Sequence, residues 1–212
     1  MYAREEWRVR DPERLARAVA EIHLCTLVVG GAEPEAVHAP AMLTGKADGG
    51  ELETHVARAN PIWRAVGEGA RGLALFRGPS AYIRPGWYET KRETGKAVPT
   101  WTYVAVTIRG ALRAETDPDW LRAHVARLSA AMEAGRPEPW SVAEAPEGYI
   151  AGMARGIVGF RLSVERMEGV WKMNQHRSEA DRAGAAAGLM AEGGPEEAAA
   201  AAVMRSIEDG RG

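Results

Sequence analysis

The apolar positions of the chain follow two periods. Leu15, Val19 and Ile22 recur at helical spacing behind Asp11-Pro12, as do Leu121, Val125, Leu128 and Met132 behind Asp117-Pro118. Asn60-Pro61 repeats the same device for starting a helix. The Asx oxygen accepts an orphan backbone N–H, and the proline needs no N–H at the first helical position. This third helix must be short, because Gly67 and Gly69 close it. Between the helices the pattern becomes strand-like, in short runs bounded by Gly-rich or charged turns. Strands are predicted over residues 25–29, 36–43, 52–56, 71–76, 80–83, 101–112 and 157–167, the last ended by Glu168-Gly169. Thr102, Val104, Val106 and Ile108 alternate with Tyr103, Ala105 and Thr107, so both faces of that strand look at least partly buried. From Ser178 the pattern returns to helix, as two Ala-rich segments broken at Gly193-Gly194-Pro195.

The connections look too short for parallel crossovers. The expected fold is therefore α+β, built on a small antiparallel β-barrel with peripheral helices and a helical C-terminal tail. Residues 1–177 are expected to form the barrel domain. Residues 178–212 are expected to form an extension that packs on the barrel or on a dimer partner.

Composition narrows the function. Lys+Arg 27 against Asp+Glu 29 gives a net charge of −2, which excludes a generic polybasic nucleic-acid binder. Cys25 is the only cysteine, so no intrachain disulfide can form, which fits a reducing compartment. The first ten residues are charged, and the apolar runs 27–29 and 73–76 are far too short to span a bilayer. A cytoplasmic protein with no membrane association is expected. Seven Trp stand against two Phe, an inversion of the ordinary order. Trp combines a broad apolar face with one N–H donor, which suits sites with one dry side and one polar edge.

Several chemical readings fall away. Gly67, Gly69 and Gly72 match G-x-G-x-x-G, but here the motif follows a helix and opens a strand, the reverse of a dinucleotide turn. The histidines His23, His38, His55, His124 and His176 carry no metal-ligand spacing. No G-x-S-x-G elbow exists, and Cys25 sits in an apolar strand. The tail would make a poor DNA reader, since Glu196, Glu197 and Glu208 face a single Arg205 in its second helix.

The richest segment is 82–103. Tyr82, Trp87, Tyr88, Trp101 and Tyr103 lie there among Arg84, Lys91, Arg92 and Lys96, and Pro85, Gly86, Gly95 and Pro99 predict mostly loop. Two readings fit it equally. Rings and cations in a loop suit a planar anionic ligand; alternatively the rings cap the barrel and the charges form a solvated face. Arg58, just before the Asn60 helix start, adds a natural phosphate-binding position.

These residues resemble the PaiB family. The carrying blocks are His38-Ala39-Pro40; His55-Val56-Ala57-Arg58-Ala59-Asn60-Pro61-Ile62-Trp63; residues 78–88 with Ala81-Tyr82-Ile83 and Trp87-Tyr88; Gly95-Lys96 followed by Pro99-Thr100-Trp101; and Glu168 through Arg177. The resemblance implies a split-barrel fold of the pyridoxamine-phosphate-oxidase-like, FMN-binding type, a homodimer, and FMN near the subunit interface. It implies an FMN-binding negative transcriptional regulator, with a flavin-dependent oxidoreductase as the alternative. DNA is a possible partner that the net charge does not support.

By the same resemblance, Arg58 pairs with the FMN phosphate, and Thr54, His55 and Asn60 donate hydrogen bonds near it. His38 and Pro40 run beside the isoalloxazine, and Thr100 and Trp101 wall the ring. Lys172, Gln175 and Arg177 close the site from the second subunit. The chain departs from the family pattern at Ser80, where the family carries His, and at Thr102, where it carries Asn.

Overall fold

The computed structural model describes residues 1–31, 33–47 and 49–208. The last four residues of the expected C-terminal extension, 209–212, and the Glu208 side chain lie outside them. In chain order the elements are β1 (Arg8–Val9), α1 (Pro12–Ile22), β2 (Leu24–Val29), β3 (Glu35–Thr44), β4 (Glu51–Ala57), β5 (Arg71–Ile83), α2 (Glu89–Thr94), β6 (Thr100–Glu115), α3 (Pro118–Glu133), α4 (Tyr149–Ala154), β7 (Ile157–Ser163), β8 (Arg166–Lys172), α5 (Glu179–Glu192) and α6 (Pro195–Glu208). They group into two compact units. One comprises Met1–Asp11, Arg77–Val106 and the described part of Glu168–Gly212; the other comprises Pro12–Phe76 and Thr107–Met167.

The second unit is a closed ring of antiparallel strands. Its hydrogen-bonded order is β6-β5-β2-β3-β4-β7, and β7 pairs back onto β6, with Leu112 opposite Leu162. Closure leaves no free sheet edge in the ring. Alternate positions point inward and form the core: Cys25, Leu27 and Val29 on β2, Leu52 and Val56 on β4, and Val158, Phe160 and Leu162 on β7. Burial pushes the Cys25 thiol up to about 12, which keeps it a packing residue. Two of the expected caps are in place. Asn60 Oδ1 accepts from Ile62 N at the short 3-10 turn Pro61–Ala65, and Asp117 accepts from Asp119 N at the start of α3.

The first unit places β1 against β8, with Arg8 opposite Val170. The helical tail packs here. Ala185, Ala186 and Leu189 of α5 and Ala200, Ala201 and Met204 of α6 enclose Ala81, Ile83 and Tyr88 in one apolar cluster. Asp181 at the start of α5 is buried and accepts from the Thr90 N–H at 2.9 Å and the Thr90 hydroxyl at 2.8 Å. That charge-assisted pair ties α2 to α5.

Four local expectations need correction. Residues 157–167 form not one strand but the end-to-end pair β7 and β8, and Glu168-Gly169 lies inside β8. The chain turns at Glu165, whose carboxylate takes both arms of Arg71, at 2.8 and 2.6 Å, and the Ala111 N–H at 3.0 Å. Residues 71–76 and 80–83 join in a single β5, in which the buried parity shifts from Gly72, Ala74 and Phe76 to Ala81 and Ile83. On α3 the buried face is Leu121, His124 and Leu128, so His124 takes the place expected of Val125. Segment 82–103 also holds a helix, α2, where mostly loop is expected.

Candidate functional site

Two groups of side chains carry the chemistry, one in each unit. In the barrel unit they sit on β3, β4 and the turn after it. Strand alternation puts Leu52, Thr54 and Val56 on one face of β4 and Glu51, Glu53 and His55 on the other. Thr54 is buried and its hydroxyl donates to the Pro40 carbonyl at 2.6 Å, so its proton is already placed on β3. The exposed His38 Nδ1 lies 3.0 Å from the Thr26 hydroxyl. Arg58 donates through Nε to the Arg155 carbonyl at 2.8 Å and through Nη2 to the Ile157 carbonyl at 3.0 Å. Those two bonds fix the guanidinium and leave Nη1 outside them. The Trp63 indole N–H closes the loop by donating to the Arg58 carbonyl at 3.0 Å. With Asn60 Oδ1 used as a cap, its amide nitrogen remains the donor of that side chain.

Arg58 also opens onto a cavity of about 430 Å³, floored by Leu121, Ala151 and Ala154 and rimmed by Arg122 and Arg155. The lining is mostly apolar, and Arg122 is also paired with Asp119 at 2.5 Å, so the cavity suits an apolar body with Arg58 at its edge.

Behind β4 lies a polar network that the sequence reading does not identify. His55 Nδ1 is 3.0 Å from His124 Nε2, His124 Nδ1 is 3.3 Å from Glu53 Oε2, and Arg127 donates to the same oxygen at 2.7 Å. Burial raises the Glu53 carboxyl, but Arg127 and His124 outweigh it and hold the group below its ordinary value. Burial pushes His124 down to about 4 and lowers His55 as well. Trp120 stacks on His124 with ring centroids 5.0 Å apart and 4° between planes. The only signals in the sequence were Glu53 two residues before His55 on a strand, and His124 three residues after Leu121 on a helix.

In the other unit the group gathers around β8 and the turn that follows it. Lys172 Nζ donates to the Thr100 hydroxyl at 3.0 Å and lies 5.5 Å from the Trp7 ring centroid and 5.9 Å from that of Tyr103. Burial and the nearby Arg4 charge lower its pKa. Trp7 stands edge-on to His176, with centroids 5.8 Å apart. Asn174 begins the turn with φ of 62°, a left-handed conformation that Asn tolerates. Gln175 is spent on this turn, accepting from Met173 N at 2.7 Å and donating to the Trp171 carbonyl at 2.5 Å. Arg177 lies over the Tyr88 ring at 4.8 Å. Trp101 and Tyr82 stay half exposed, with rings 6.0 Å apart.

The departures from the family pattern at Thr102 and Ser80 are both internally bonded. The Thr102 hydroxyl donates to the Lys172 carbonyl at 2.5 Å, and the Ser80 hydroxyl donates to Glu196 at 3.3 Å and accepts from Arg77.

Among the described residues, Trp7 Nε1, Asn174 Oδ1 and Arg177 Nε of this unit are buried without a hydrogen-bond partner. Orphaned buried polar atoms are costly; two of these lie in the turn after β8, and the third belongs to Trp7, whose ring stands beside Lys172. No cluster of three or more His, Cys, Asp or Glu able to hold a metal ion occurs among the described residues.

Residues 1–166 match the family model described as "Putative FMN-binding domain". The protease synthase and sporulation protein PAI 2 of Bacillus subtilis is 30% identical over 182 residues, covering 85% of this chain and 85% of that protein. An uncharacterized protein of Emericella nidulans is 29% identical over 208 residues, covering 85% of this chain and 83% of the other. Among solved structures, the FAD and heme binding protein from Mycobacterium smegmatis superposes with a TM-score of 0.59 at 18% identity, covering 88% of this chain and 80% of that one. A flavocytochrome from Azotobacter vinelandii gives 0.58 at 11% identity, covering 86% and 78%. At these identities the likeness is one of fold, an antiparallel barrel with helices packed around it.

Proposed function

The chain belongs to the PaiB family, whose domain model is an FMN-binding domain, and on that premise we propose that it binds flavin mononucleotide. The observation that carries the reading is the match of residues 1–166 to the FMN-binding domain model, and the Lys172 ammonium beside Trp7, with its unpartnered indole N–H, supports it. When bound, FMN supplies a ring that accepts and returns electrons. Lys172, held by Thr100, provides positive charge for the ring's electron-rich edge. Trp101 and Thr100 wall the ring, and Trp7 offers its free indole N–H. Gln175 shapes the turn that carries Arg177.

In the barrel unit, Arg58 provides the charge for the phosphate, supported by Arg122 and Arg155 at the cavity rim and by the Asn60 amide. His38 and Pro40 offer β3 to the ring edge, with Thr54 fastening that strand. His55 contributes from the outer face of β4. The two sets come from the two protomers of a cytoplasmic homodimer. Exposed Tyr82, Val98 and Trp101 support association through an apolar surface. Among the described residues no helix is long and apolar enough to cross a membrane.

Quenching of flavin fluorescence on titration tests this reading. Saturable FMN binding is expected. Arg58→Ala should weaken FMN by roughly 10- to 100-fold while changing riboflavin, which lacks the phosphate, far less. Absence of saturable FMN binding overturns the proposal.

We further propose a negative regulatory role in transcription, favoured by the sporulation-related name of the Bacillus relative. The local charges limit a direct grip on DNA. Arg84 is paired with Glu192 at 3.4 Å and Arg92 with Glu89, which leaves Lys91 and Lys96 as the loop's stronger contributors. A gel shift on the chain's own upstream DNA should show retardation that falls steeply with salt; a flat salt response contradicts phosphate-driven binding.

A further inference from the structure

The network behind β4 determines where its protons sit. Glu53 is 4% exposed and His124 is fully buried, so neither exchanges partners freely with water. The Glu53 carboxylate takes Arg127 and His124 on Oε2, and its Oε1 lies 3.4 Å from the Thr44 hydroxyl, which shares its one proton between that oxygen and the Glu51 carbonyl at 3.3 Å. An ionised carboxylate can only accept, so His124 must present an N–H at Nδ1. His124 is neutral at ordinary pH, because burial holds it down to about 4. Its Nε2 is therefore a bare lone pair. The His55 Nδ1 that faces it at 3.0 Å must then carry a proton. With one ring proton spent there, neutral His55 keeps an unprotonated Nε2.

The surroundings hold this arrangement. Trp120 stacks flat on His124 from α3, Arg161 lies over the Trp120 ring at 5.9 Å, and Gly159 of β7 sits opposite His55 in the sheet register. The charged groups facing the two rings are thus Glu53 from β4 and Arg127 from α3, with Arg161 behind Trp120.

We propose that Glu53 and His124 fix His55 as a hydrogen-bond acceptor, so that its Nε2 receives an O–H or N–H of the ligand and not an oxyanion. Glu53 and His124 are positioning residues in this scheme, and His55 is the specificity-determining one. The identity of the ligand rests on the flavin reading. There, His55 faces a ribityl hydroxyl or the ring imide N–H, and the phosphate is left to Arg58. This differs from the expectation drawn from the family, in which His55 donates toward the phosphate.

The proton positions are measurable without any ligand. In protein labelled with ¹⁵N-histidine, nitrogen shifts and two-bond N–H correlations near pH 7.5 should show both rings protonated at Nδ1 and bare at Nε2. Glu53→Gln should preserve that pattern, since an amide oxygen facing Arg127 still accepts from His124. His124→Phe should release His55 toward the Nε2–H form that free histidine prefers. A wild-type His55 protonated at Nε2 overturns the proposal, whatever flavin does.

The ligand half is tested by His55→Phe. FMN and riboflavin affinities should fall by the same factor, about fivefold for one neutral hydrogen bond. A loss confined to FMN places His55 at the phosphate and overturns that half. If the wild type binds neither flavin, the flavin reading and this ligand assignment both fall, while the NMR result alone decides the proton positions.

Discussion

A methyl group added at Gly159 would meet the Trp120 ring at 2.2 Å, against a backbone strand that cannot yield. That glycine lets Trp120 lie between β7 and His124. Gly159→Ala should lower the urea midpoint by an amount equivalent to about 1–3 kcal/mol, with an unchanged denaturant slope. It should also disturb the His124 ring resonances, which a remote strand change would leave alone.

The same histidine makes stability depend on pH. Its folded pKa of about 4 lies below the ordinary 6.5, so the unfolded chain binds the proton more readily. The contribution is full above pH 6.5 and is lost as pH falls toward 4; its size is of the order of 3 kcal/mol. Glu53, also held low, adds a loss in the same direction at more acidic pH, as its carboxylate protonates. Urea denaturation of the wild type from pH 7.5 to 4.5 should show this slope, and His124→Gln should flatten it; equal slopes in both would contradict the assignment. At this scale the sequence disclosed the caps, because Asx-Pro is a local signal. It did not disclose the Glu53–His124–His55 chain, because a strand and a helix 69 residues apart meet only after folding.

At the scale of elements, α5 shows how the tail docks. A Cβ on Gly188 would sit 2.3 Å from the Trp87 ring, and one on Gly184 would sit 2.2 Å from the Trp87 carbonyl. On an exposed helix Gly→Ala stabilises by about 1 kcal/mol. Here Gly188→Ala should instead lower the melting temperature, because the helix would be pushed off Trp87; a raised melting temperature would show that the contact is slack. Helices α1, α3, α5 and α6 and most barrel strands were legible because their periods differ and their ends carry Gly or Asx-Pro, whereas α2 and α4 are too short to show a period. The β7–β8 turn was not. No glycine or proline marks Val164-Glu165, and the turn is made by Arg71 and Ala111 reaching Glu165 from elsewhere in the chain. The continuity of β5 was hidden for the opposite reason, since Gly78-Pro79 reads as a break.

For the whole molecule, the balanced charge and the tryptophan excess take on definite meanings. Net charge near zero coexists with a local cluster of Arg58, Arg122 and Arg155 around one cavity. Trp7, outside the blocks that carry the family resemblance, stands next to Lys172 with an unpartnered indole N–H. The family blocks pointed to Lys172 and Arg177, whereas Trp7 lay in a charged N-terminal stretch with no period to mark it. Lys172→Met should therefore weaken flavin binding several-fold and raise the energy of the reduced flavin, seen as a more negative midpoint potential; an unchanged potential would remove the lysine from the ring edge.

The central claim is that this chain holds a flavin. It is tested most directly by the visible absorption spectrum of the purified protein after incubation with FMN and removal of free ligand by gel filtration. A retained flavin spectrum at close to one FMN per chain, released as FMN on denaturation, is the predicted result. A protein fraction with no absorbance in the flavin bands, from a chain that is folded by circular dichroism, would contradict it.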